Sequence, residues 1–186
     1  MIVFLDFEAS GLGKRGFPVE VGWVGEEGME EGHLIRPAAG WDEWDAQAER
    51  IHGITRERLL REGAPHDAVA RRMLDVLSGH QLFASAPSWD GQWLSRLLRA
   101  AGLPRHALRL RDTEEAQRAT ALAVLERSSM TAEARAQQVE ALLQAAREAK
   151  ARQGAPTHRA VEDARQELRL WQSVRRQAEE AARGLA

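Results

Sequence analysis

Two carboxylates interrupt an apolar run near the start of the chain. Ile2-Val3-Phe4-Leu5-Asp6-Phe7-Glu8 has the composition of a buried strand. Residues i and i+2 of a strand point to the same side, so Asp6 and Glu8 project together. Adjacent carboxylates in such a setting repel each other and lose hydration. A divalent cation between them removes both penalties. An isolated Asp-x-Glu more often caps a turn or sits solvated at a sheet edge. The pair therefore needs partners elsewhere in the chain before it counts as a site.

Such partners exist. Ser88-Trp89-Asp90 opens an apolar, helix-like segment, Gln92 to Leu98, and Pro156-Thr157-His158-Arg159-Ala160-Val161-Glu162-Asp163 follows much later. In order, Asp6, Glu8, Asp90, His158 and Asp163 resemble the DEDDh (DnaQ-like) family of 3′→5′ exonucleases, within the ribonuclease H-like superfamily. The first motif matches as Phe4-Leu5-Asp6-Phe7-Glu8, and the third as His158 with Asp163 five residues on. Ile51-His52-Gly53-Ile54-Thr55 resembles an element such enzymes carry between the first two motifs. The second motif departs: Ser85-Ala86 and Trp89-Asp90 stand where His-Asn and Phe-Asp are common, and Ala9 stands where Thr is common.

The resemblance implies phosphodiester hydrolysis at the 3′ end of single-stranded RNA or DNA, using two Mg²⁺ or Mn²⁺ ions. On this carry-over Asp6 bridges both metals, and Glu8, Asp90 and Asp163 complete the ligand set, Asp90 in part through water. Hard divalent cations suit a set of carboxylates of this kind. His158 becomes the general base; by spacing alone it would read as a histidine at a helix start making a local hydrogen bond. Ala9, Leu12, His52 and Trp89 fall at substrate positions, with Leu12 placed to wedge against the last bases. Trp89 stands where a buried Phe is usual, so core packing is expected of it. Stacking on a base, worth about 1–3 kcal/mol, is the alternative.

Composition narrows the remaining classes. The 186 residues contain no cysteine, which excludes disulfides, zinc thiolates and a cysteine nucleophile. No G-x-S-x-G and no phosphate-loop spacing occurs. No apolar run is long enough to span a membrane, and Asp6 comes too early for a signal peptide, so the cytoplasm is the expected compartment. The net charge of -2 divides unevenly: 10 basic and 16 acidic residues up to Leu98, then 16 and 12. That small basic excess favours a distributive trimmer of short or single strands over a tight nucleic-acid clamp. Two other readings stay open: a catalytically weakened domain that binds nucleic acid or a protein, and phosphoryl transfer on small nucleotides.

The pattern predicts one domain over 1–186, an α/β fold with a mixed five-stranded sheet flanked by helices and a helical C-terminal part. The resemblance makes this the ribonuclease H-like fold. Strands are expected over 2–8, 17–25, 32–36, 80–85 and 107–110. Helices are expected over 55–62, 66–77, 88–101, 114–127, 131–152 and 157–183. Trp41 and Trp44 are expected in the core or at its rim. Val139, Leu142, Leu143 and Ala146 form an apolar stripe expected to pack on the body, or else to form a homodimer face.

Overall fold

The structure is a computed structural model that describes residues 1–154 and 156–184. β1 (Ile2–Ala9), β2 (Pro18–Gly25) and β3 (Glu30–Arg36) make the expected antiparallel meander. The chain continues through α1 (Ala46–His52), α2 (Arg56–Glu62), β4 (Ala64–Pro65), α3 (His66–Leu77), β5 (Gln81–Ala84) and α4 (Pro87–Ala100). It ends in β6 (Leu110–Asp112), α5 (Thr113–Leu125), α6 (Ala132–Arg152) and α7 (Ala160–Arg183). The sheet order is β4-β3-β2-β1-β5-β6, with β5 parallel to both β1 and β6. Among the described residues no helix is long and apolar enough to cross a membrane.

The sheet thus has six strands where the sequence suggests five. The additional β4 is two residues long and pairs with the end of β3, too short to leave an alternation pattern. The last strand lies at Leu110–Asp112 rather than over 107–110, set by pairing with Leu82–Ala84. Local capping accounts for several helix starts: the side chains of Thr55, Asp112 and Thr131 accept backbone N–H bonds at α2, α5 and α6. Pro87 sits in the first turn of α4, where its missing N–H costs nothing.

Strand alternation separates two cores. Val3, Leu5 and Phe7 join Val21, Trp23, Met73, Leu77, Trp93 and Leu97 on one face, against α3 and α4. Phe4 faces the other way and packs with Val24, Phe83, Ala164, Leu168 and Trp171, against α5 and α7. Asp6 and Glu8 continue that second face. The stripe on α6 is buried against Ala121 and Leu125 of α5 and Val174 and Ala178 of α7. It packs on the body from within the chain, which removes it as a homodimer face.

One close approach fixes how α7 meets the sheet. Asp6 pairs with Gly22 and Gly22 with Gly32, so these three lie in a row across the strands. A Cβ on Gly22 would stand 2.3 Å from the backbone N of Val161, and one on Gly32 would stand 2.3 Å from Val161 Cγ2. The first turn of α7 therefore rests directly on the backbone of β2, beside Asp6. Gly22→Ala should lower thermal stability by about 1–3 kcal/mol, because the obstructing atoms are backbone and cannot rotate away. Gly32→Ala should cost less, since only a side-chain methyl must yield. Thermal unfolding of both variants checks this, and a Gly22→Ala protein with an unchanged Tm would contradict the packing.

Candidate metal and phosphodiester site

β1 runs on past its pairing with β5, which ends at Phe4–Phe83, and the cleft opens beside this overhang. It measures about 390 Å³, and its walls include Asp6, Glu8, Ala9, Leu12, His52, Ser85, Ala86, Trp89, Asp90, His158 and Asp163. Every site residue expected from sequence lies on it. This is the carboxyl end of parallel strands, where ligands of open α/β sheets bind.

Each acidic residue is placed by a different element. Asp6 and Glu8 come from β1 by alternation. Asp90 sits in the first turn of α4, 3% exposed, and accepts the N–H of Phe7 at 3.2 Å through Oδ1. Its other oxygen is buried without a hydrogen-bond partner. Asp163 lies in the first turn of α7, where its Oδ1 accepts from the Thr157 N–H at 2.9 Å and the Thr157 hydroxyl at 2.8 Å. His158 Nδ1 stands 3.9 Å from Glu8 Oε1. Glu8, His158 and Asp163 each offer a ligand atom, and these atoms lie within 4.8 Å of one another.

The segment before α7 differs from the sequence expectation. The helix begins at Ala160, not Thr157. His158 takes a left-handed conformation at φ 54°, a region that disfavours most side chains but accommodates histidine better than β-branched residues. Arg159 makes no side-chain cap. Its place is taken by Glu20 of β2, buried, which accepts the Ala160 N–H at 3.0 Å and pairs with the Arg159 guanidinium at 2.8 Å. A carboxylate at a helix N-terminus also suits the helix dipole. Glu20 thereby holds the His158 turn from across the sheet.

The remaining walls are largely apolar. Leu12 is 69% and Trp89 42% exposed. Core packing was expected of Trp89. Instead Trp93, Leu94, Leu97 and Asp90 form the buried face of α4, while Trp89 falls outside that face and stacks on Trp93 at 6.1 Å between ring centres. Trp41 is core and stacks on Phe17, and Trp44 packs at its edge, as expected. His52 is buried; its Nδ1 accepts the Ile54 N–H at 3.0 Å, so the neutral ring carries its proton on Nε2, toward the cleft wall at Ala9. Burial holds the pKa of His52 below its ordinary value.

Four residues of consequence escape the motifs: Glu20, Thr157, Glu167 and Lys150. Glu167 follows Asp163 by one helical turn on the same face. It is buried on the cleft wall and pairs with Lys150 Nζ at 2.5 Å. The i, i+4 spacing makes it legible from sequence. Glu20 is legible only once the β1–β2 register is known, which sets it opposite Glu8.

Crowding dominates the electrostatics. Burial, then the charge of Asp90 and the other carboxylates, raises the Asp6 pKa well above the usual range. Burial and the nearby Asp163 push Glu8 up to about 8. Burial pushes Asp90 up to about 7, against the opposing pull of the Phe7 N–H. Carboxylate oxygens gathered in this way, with an imidazole beside them and a buried Asp90 oxygen lacking a hydrogen-bond partner, fit a divalent cation.

No protein-family model and no curated protein matches the sequence. Solved structures do match in fold. An E. coli exonuclease I bound to a dA16 oligonucleotide superposes with TM-score 0.53 at 18% identity, over 65% of this chain and 29% of that one. An apo exonuclease I gives 0.54 at 17% identity, over 70% and 32%. A zinc-bound E. coli exonuclease I–ssDNA complex gives 0.53 at 18%, over 63% and 29%. The chain therefore spans about a third of the length of these neighbours, and over the matched part it shares their mixed α/β fold.

Raised carboxyl pKa values fix the sign of a pH effect. The native state holds protons that the unfolded chain releases near pH 4–4.5, so stability falls as pH rises from there through about 8. In EDTA, Tm should decline between pH 5 and pH 8.5. Asp6→Asn should flatten that decline and raise Tm at the alkaline end by relieving repulsion. Differential scanning fluorimetry checks both, and a Tm that rises with pH in EDTA would rule out the crowded-carboxylate account.

Proposed function

We propose that the chain is a metal-dependent 3′→5′ exonuclease that trims single-stranded RNA or DNA. One observation carries this reading: Asp6, Glu8, Asp90, Asp163 and His158, which lie far apart in sequence, converge on one cleft at the end of β1. Asp6, Glu8, Asp90 and Asp163 would hold two Mg²⁺ or Mn²⁺ ions. Such ions would neutralise phosphoryl oxygens, steady the leaving 3′ oxygen and acidify a water.

The chain's own residues do the rest. His158, beside Glu8 and about one-third exposed, accepts the proton of the attacking water at an imidazole nitrogen. The Thr157 bonds to Asp163 and the Glu20 bonds to Arg159 and Ala160 hold that imidazole's backbone in place, so little reorganisation is needed at the moment of attack. Leu12, Ala9 and Trp89 offer apolar surface for the terminal bases, with His52 behind them. A wall of this composition tolerates any base, which suits a trimmer. Oligonucleotide complexes of the structural neighbours support the polymer as substrate over a free nucleotide.

The altered second motif favours one rival, a binding domain with weakened catalysis, since Ser85 and Ala86 line the cleft where such enzymes commonly carry His-Asn. A timed digestion of 5′-labelled single-stranded RNA and DNA, with Mg²⁺, Mn²⁺ or EDTA, separates the two. The expected result is a ladder shortening from the 3′ end, abolished by EDTA and reduced at least 100-fold in His158→Ala, the scale of a general-base loss. Uncut strands of both kinds at high protein concentration would overturn the exonuclease reading in favour of the binding domain.

A further inference from the structure

Among the described residues, five carboxylates and one permanent cation line the cleft: Asp6, Glu8, Asp90, Asp163 and Glu167 against Lys150. Lys150 belongs to the last turn of α6. A lysine there is favourable for any helix, because its charge opposes the C-terminal end of the dipole. This one does more than complement its helix. Its Nζ leaves α6 and reaches Glu167 Oε1 on α7, 17 residues further on, at 2.5 Å. Glu167 is buried, and its second oxygen has no hydrogen-bond partner. The Lys150 side chain is 50% exposed and lines the cleft, and its ammonium has N–H donors beyond the one given to Glu167.

We infer that Lys150 is a substrate-positioning residue: its ammonium takes a non-bridging phosphate oxygen of the bound single strand, and Glu167 holds it at the cleft wall for that contact. The inference rests on the exonuclease reading. A polyanion entering this cleft meets acidic walls, and the Lys150 ammonium at the edge supplies an attractive contact. An ammonium is a compact point charge that can serve a carboxylate and a phosphate together, which a planar guanidinium does less readily. Anchoring Lys150 to a buried partner removes most of the side-chain freedom that a phosphate contact would otherwise have to freeze. The pairing also gives α6 a role. Packed on α5 and α7 rather than on the sheet, α6 brings its final turn to the cleft.

The test is equilibrium binding of a short 5′-labelled single strand, followed by fluorescence anisotropy over a range of NaCl concentrations. Ca²⁺ replaces Mg²⁺, and a gel verifies that the strand stays intact. Each phosphate contact on a single strand contributes about 0.7 to the slope of log K against log salt. Lys150→Met should lower the slope by about that amount. So should Lys150→Met/Glu167→Gln, which leaves no unpaired buried carboxylate and guards against misfolding. Lys150→Arg should keep the slope, and so should Glu167→Gln, since the ammonium remains. If Lys150→Met keeps the wild-type slope, or if the double variant does, the pair is structural and the inference fails. Wild-type protein that binds no strand at all would overturn the exonuclease reading and this inference with it, a result distinct from the other two.

Discussion

The seat of α7 on the backbone of β2 is the contact on which the site depends. A helix can approach a sheet this closely only where side chains are missing, and Gly22 and Gly32 provide the gap in the row that begins at Asp6. Two residues before Gly22 on the same strand, Glu20 replaces the absent cap of α7 with a carboxylate that also binds Arg159. Glu20 is buried and Arg159 half exposed, so losing the guanidinium would leave a buried carboxylate short of compensation. The helix start, its rotation and its distance from β1 are then all set at once. Asp163 and Glu167 face Asp6 because of it, and His158 is forced into the left-handed region next to Glu8.

This seating is opposed by the charges it brings together. Burial and mutual repulsion raise Asp6, Glu8 and Asp90, which means that their ionised forms oppose folding near neutral pH. The fold contains the strain by surrounding it: an apolar core lies on each face of β1, with Phe4 on one side and Leu5 and Phe7 on the other. Donors at the rim contribute as well. The Phe7 N–H serves Asp90, Thr157 serves Asp163 and Lys150 serves Glu167. Conflict between local chemistry and stability, relieved by the surrounding structure, is the pattern expected of a functional site.

Much of this was legible in the sequence wherever a local period carried the information. Alternation in β1 placed Asp6 and Glu8 on one face, and the apolar spacing of α3, α4 and α6 gave those helices nearly to their observed ends. The spacing of His158 and Asp163 marked the third motif. What stayed hidden was set from a distance. The start of α7 depends on Glu20, some 140 residues earlier, so no window around Thr157 could show that the helix waits until Ala160. Trp89 was misplaced because its exposure follows from the phase of α4, which only the burial of Asp90 and Trp93 fixes. β4 is two residues long and has no pattern to read. Lys150 and Glu167 sit on different helices, and sequence gives no reason to join them.

The second motif is where this chain departs most from the exonuclease pattern, and the geometry says what the departure changes. Asp90 keeps its place, buried and bonded to Phe7, so the altered neighbours do not disturb the carboxylate set. Ser85 and Ala86 are small and lie on the cleft wall, while Trp89 turns a large ring toward the opening. Ala86 and Trp89 present apolar surface to the cleft, with the Ser85 hydroxyl beside them. Stacking is indifferent to base identity and to the 2′-hydroxyl, whereas hydrogen bonds discriminate. The carboxylates themselves argue against a relic. Each is unfavourable to the fold as a charged group, and uncharged residues of similar size would pack there at lower cost. Packing therefore gives no reason for five acidic side chains on one small cleft, whereas the proposed binding of a divalent cation would give one.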